Sequence, residues 1–120
     1  MALSADGNTA IVGYMWDEEA VGAAWVFTRS SGVWSQQGPK LVGTGGAGWT
    51  EQGASVAISA DGNTAIVGGP NDGSREGAAW VFTRSGGVWT QQGEKLVGAG
   101  AVAWEFYPFG FDISVAVSGD

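Results

Sequence analysis

The sequence contains neither cysteine nor histidine. Without cysteine there is no disulfide framework, no thiolate metal site and no thiol nucleophile. Without histidine the commonest general base and metal ligand at neutral pH is missing. Basic residues are scarce as well: five Lys and Arg stand against twelve Asp and Glu, giving a net charge of −7. That balance opposes binding to nucleic acid and to anionic lipid. No apolar run approaches the ~20 residues of a membrane-spanning helix, and the N-terminus lacks the basic, apolar, small-residue pattern of a signal peptide.

What the sequence does have is repetition. Residues 3–13 read LSADGNTAIVG and residues 58–68 read ISADGNTAIVG; GAAWVFTRSSGVWSQQGPKLVG from Gly22 returns as GAAWVFTRSGGVWTQQGEKLVG from Gly77. A constant offset of 55 residues relates the copies from Leu3 through Trp49. Within each copy, apolar runs alternate with corners such as Asp-Gly-Asn, where Gly and Asn tolerate the positive φ of tight turns. Four strands are expected per copy: Met1 to Asp6, Thr9 to Gly13, Ala23 to Arg29 and Val33 to Gln37 in the first. In the third, Trp25 and Phe27 share one face and Ala24 and Val26 the other, so both faces are apolar and both call for burial.

Four strands per ~50 to 60 residues, repeated without any helical period, is the sequence form of a β-propeller blade. The expected fold is all-β, with two four-stranded blades per chain: residues 1–55 and 56–114, each with its connecting loop. Residues 115–120, VAVSGD, start a further copy of the first strand. A blade pair leaves an apolar face open at each end. A blade contact of standard size, ~1,600 Å², removes ~20 kcal/mol worth of apolar surface from water, against association costs of ~4 to 15 kcal/mol. Homo-oligomerisation into a closed propeller is therefore expected, a trimer slightly ahead of a tetramer, with residues 115–120 as an inter-chain latch.

The units SVAISADGNTAIVGGP, GAAWVF and FDISVAVSGD resemble the FG-GAP repeat of the integrin α-subunit head and of bacterial surface proteins. The resemblance implies a propeller, an extracellular or cell-surface setting and, in many members, calcium bound between the first two strands. Here those turns offer one carboxylate each, Asp6 or Asp61, which is too few for a hard cation. Turn capping is the expected role of both, with no metal and no cofactor.

Short turns follow the odd-numbered strands and long loops the even-numbered ones, so one rim carries all the variation between copies. Binding residues favour such loops. The candidates are Trp16, Asp17, Glu18, Trp49, Glu51, Asn71, Asp72, Arg75, Trp104, Glu105 and Tyr107. Trp25, Trp80, Trp34 and Trp89 fall within strands and read as packing. Aromatic faces beside carboxylates and amides suit a neutral sugar, so a non-catalytic, lectin-like module is the first functional expectation. The alternatives are a structural or protein-interaction scaffold, with a surface protein as partner, and an engineered or excised fragment with no function of its own. The glutamates of the loops have no fixed spacing that would make a glycosidase pair, so no enzymatic activity is expected.

Overall fold

The computed structural model describes residues 1–46, 48–75 and 77–98. It contains two four-stranded antiparallel sheets, ordered β1-β2-β3-β4 and β5-β6-β7-β8. The first comprises β1 (Ala2–Leu3), β2 (Thr9–Tyr14), β3 (Ala23–Ser30) and β4 (Val33–Gln36). The second comprises β5 (Ser55–Ile58), β6 (Thr64–Gly69), β7 (Ala78–Ser85) and β8 (Val88–Gln91). All-β architecture and the four-strand repeat thus agree with the sequence reading.

The register repeats residue by residue: Ile11 lies opposite Val26 and Ile66 opposite Val81; Val12 opposite Trp25 and Val67 opposite Trp80. The corner after the first strand is built by side chains. Ser4 Oγ donates to Asp6 Oδ1 (2.7 Å) and accepts from Thr9 N (3.1 Å), while Asn8 N also donates to Asp6 Oδ1 (2.9 Å). Ser59, Asp61, Asn63 and Thr64 reproduce it. This corner takes Ser4 out of the ladder, so β1 ends at Leu3 and not at Asp6. The Asn8–H and Ser4 hydroxyl donors hold the Asp6 carboxyl below its ordinary pKa; Asp61 is lowered by Ser59 first and then by Asn63.

Arg29 and Arg84 tie this corner to the third strand. Arg29 Nε donates to Asn8 Oδ1 (3.2 Å) and its guanidinium lies 5.3 Å from the Trp34 ring centre; Arg84 does the same to Asn63 (3.1 Å) and Trp89 (5.2 Å). After the fourth strand the chain returns to the sheet, with Ala24 and Leu41 exchanging both backbone hydrogen bonds and Ala79 and Leu96 doing likewise.

The sheets stack face to face, with β5 against β1 and β2. Ile11, Ala24, Val26 and Leu41 from the first sheet and Ile58, Ala65, Val67, Ala78, Trp80 and Phe82 from the second form one core. Because strand side chains alternate, the contributed faces are opposite ones. The first sheet buries the Ile11/Val26 face, whereas the second buries the Val67/Trp80 face. Trp80 is wholly buried and its counterpart Trp25 only half-buried; Leu41 is 7% exposed and its counterpart Leu96 56%.

Polar bonds stitch the joint. Gln37 Oε1 accepts from Arg84 Nη1 and Trp89 Nε1, both at 3.0 Å. Thr44 N donates to Gln91 Oε1 (2.8 Å), Trp80 Nε1 to Thr44 O (2.8 Å) and Ala5 N to Ala60 O (3.0 Å). Gly43 lies flat against the Trp80 ring, where an added Cβ would come within 2.1 Å of a ring carbon.

Candidate functional site

The even-numbered strands deliver their long loops to one rim, and the loops are knitted together there. Glu51 N donates to Ala20 O (2.8 Å), Gln52 N to Val21 O (2.9 Å) and Asn71 N to Thr50 O (3.3 Å). Thr50 Oγ1 also donates to Val21 O (2.6 Å), and Asn71 Nδ2 to Trp49 O (2.7 Å). The segments around Trp16, Trp49 and Asn71, distant in sequence, therefore form one surface. Trp16 and Trp49 are 55% and 68% exposed on it.

The loop after β2 is not the irregular coil its charges suggest. It closes in a single turn, α1 (Asp17–Ala20), in which Glu18 (φ 52°), Glu19 (φ 56°) and Ala20 (φ 72°) are all left-handed. Glu51 (φ 59°) is left-handed as well. Each such non-glycine residue costs of order 1–2 kcal/mol. The corresponding turn of the second copy, α2 (Asp72–Arg75), places Gly73 (φ 59°) at the position of Glu18 and avoids that cost there.

Asp17 and Asp72, the one matched pair between these loops, both serve ion pairs. Lys40 Nζ reaches Asp17 Oδ2 at 2.6 Å and Glu18 Oε1 at 3.1 Å, and Lys95 Nζ reaches Asp72 Oδ2 at 2.6 Å. Asp17, and then Glu18, raise the pKa of Lys40. The two pairs differ in setting: the Asp72 side chain is 2% exposed and that of Asp17 24%. Repetition of Lys40 and Lys95 at the same offset was the available sequence signal for this fastening. Glu19 is exposed and Glu51 half-buried. Trp104, Glu105, Tyr107 and the latch segment 115–120 lie outside the described residues, as does the side chain of Arg75.

Sequence reasoning passed over Gln52. This buried side chain holds the connection between the sheets by accepting from Gly43 N (2.6 Å) and donating to Gly43 O (3.1 Å). The meeting of Gln37 with Arg84 across the joint has no signal within either copy alone. Among the described residues no three Asp, Glu, His or Cys side chains converge as a metal site. No described helix is long and apolar enough to cross a membrane. An open depression of about 400 Å³ lies between Thr44-Gly45 and the Gly93–Val97 segment, apart from the exposed tryptophans.

The fold and rim define a pair of homologous, stacked β-sheets with an aromatic loop surface. No protein-family model and no curated protein sequence matches the chain. The likeness to FG-GAP repeats accordingly rests on the motifs quoted above.

Proposed function

We propose that the chain is a non-catalytic binding module of β-propeller type, which copies of itself complete into a ring and which takes its ligand on the long-loop rim. The observation that carries this reading is the pairing of two well-exposed tryptophans with a backbone held rigidly around them, partly in left-handed conformations. Strain of this kind collects at binding sites, where the surrounding structure sustains it. The ligand class is a neutral carbohydrate. Trp16 and Trp49 supply flat apolar platforms, and Glu18 and Glu19 supply acceptors for hydroxyl groups. Such a role fits the extracellular or cell-surface setting that the FG-GAP-like motifs imply. A glycan array followed by titration calorimetry is expected to find a sugar bound at millimolar affinity or better, with Trp16→Ala abolishing the heat while leaving the fold intact. If no sugar binds, the lectin-like reading is wrong.

One observation favours a second reading, a scaffold for protein contacts. Asp17 and Asp72 are engaged by Lys40 and Lys95 in both copies, so the repeated acidic residues of the rim fasten loops. On that reading the rim is an interface that tolerates Trp16→Ala with respect to every small ligand.

A further inference from the structure

The two surfaces that the sheet pair leaves uncovered are near-copies of the two surfaces that cover each other inside it. On the first sheet the open face carries Val12, Trp25, Phe27, Arg29 and Trp34, the counterparts of Val67, Trp80, Phe82, Arg84 and Trp89 in the internal joint. Trp34 is 42% exposed and Arg29 is exposed, whereas their counterparts Trp89 and Arg84 are partly covered. On the second sheet the open face carries Ile66, Val81, Gln92 and Leu96, the counterparts of Ile11, Val26, Gln37 and Leu41. Gln92 is exposed, and Gly98 has nothing within 4 Å of an added Cβ, although Gly43 at the matching position lies against Trp80.

We infer that these two open faces are the halves of a single joint between copies of this chain, in which Gln92 of one copy accepts hydrogen bonds from Arg29 and Trp34 of the next and Gly98 lies flat against the neighbour's Trp25. The inference rests on the ring proposed above and specifies its seam. The occupant is argued from continuity with the internal joint: both surfaces exist, with nearly the same apolar residues and the same donors and acceptor, and among the described residues nothing covers them as the internal joint is covered. Because unlike faces meet, the contact is head-to-tail, and where its rotation divides a full turn it closes a ring. The identity is not complete: Ile58 and Val56 of the internal joint correspond to Leu3 and Met1, and the largest break is at the long-loop edge. Gly69, where a Cβ would fall 2.8 Å from both Thr50 O and the Trp80 ring, corresponds to the well-exposed Tyr14. The joint between copies therefore departs from the internal one at its long-loop edge.

Sedimentation velocity over a dilution series tests the seam, using the unmodified chain, Gln92→Ala and Gly98→Ala, with circular dichroism to confirm that each variant is folded. Both substitutions fall on positions open to solvent within one chain. The unmodified chain is expected to associate at micromolar concentration, and each variant to dissociate at roughly tenfold higher concentration or more, as for loss of a bond to a charged group or a central steric clash. An unmodified chain that associates while both folded variants match it would overturn the seam and leave the ring itself standing. A chain that stays monomeric would overturn seam and ring together, without touching the sugar-binding rim.

Discussion

The two sheets share their register and almost all their side chains, and differ in strand length only at the first strand, two residues in β1 and four in β5, yet they bury opposite faces. Ile11 and Val26 are covered in the first sheet while Ile66 and Val81 are partly open in the second; Val67 and Trp80 are covered in the second while Val12 and Trp25 are partly open in the first. Local sequence cannot account for the difference, since it is the same in both. Burial here is conferred by the neighbouring sheet, and among the described residues each sheet has one face covered and one partly open. In repeat proteins, stability resides in interfaces between units as much as in the units.

Matched substitutions sharpen this comparison, and the largest effect is expected at the tryptophans. Trp80→Ala empties a site inside the internal joint and should cost ~3–5 kcal/mol in urea denaturation at every protein concentration. Trp25→Ala should cost clearly less when the chain is dilute, and more as association covers the ring. Equal, concentration-independent losses would show that the two faces do not differ in the way described.

The ion pairs give the next contrast. Lys95→Met strips a charged partner from the buried Asp72 carboxylate and should cost ~2–3 kcal/mol. Lys40→Met acts on a more exposed, solvent-screened pair and should cost clearly less. Reversal of that order in thermal melts would contradict the burial difference between the loops.

A smaller and opposite effect is expected at the left-handed turn. Glu18→Gly gives the first loop the residue that the second uses at Gly73, and should stabilise by up to ~1 kcal/mol once the greater freedom of glycine in the unfolded chain is deducted. Loss of the long Lys40–Glu18 contact offsets little of it. If the variant melts lower than the parent, the turn is not strained in solution.

The smallest effect should come from the corners. The carboxyls of Asp6 and Asp61 lie below their ordinary value of 3.8 in the folded protein. They therefore add stability that is present above the unfolded pKa and vanishes as pH falls through the folded one. Asp61→Asn should melt slightly lower than the parent at about pH 6, and the gap should close as pH falls through the folded-state pKa. A gap that persists in acid would assign the effect to something other than the charge.

Much of this fold was legible in the sequence because period-two alternation and Asp-Gly-Asn corners specify strands and turns locally. The end of β1 was not, since Ser4 looks like a strand residue until its hydroxyl is seen to accept from Thr9 N. On the rim, the alternation of short and long loops pointed to segments that are hydrogen-bonded to one another around Trp16, Trp49 and Asn71. The roles of Asp17, Asp72, Gln37 and Gln52 required knowledge of partners 9 to 52 residues away. Those pairings follow from how two sheets meet, which a repeat written twice does not reveal.

The central claim, that each end of the sheet pair is half of a joint, is tested most directly by the mass of the unmodified chain in solution. Light scattering at micromolar concentration should give a closed assembly of three chains, or of four, that dissociates on dilution. The mass of a single chain, together with a cooperative melt, would contradict it.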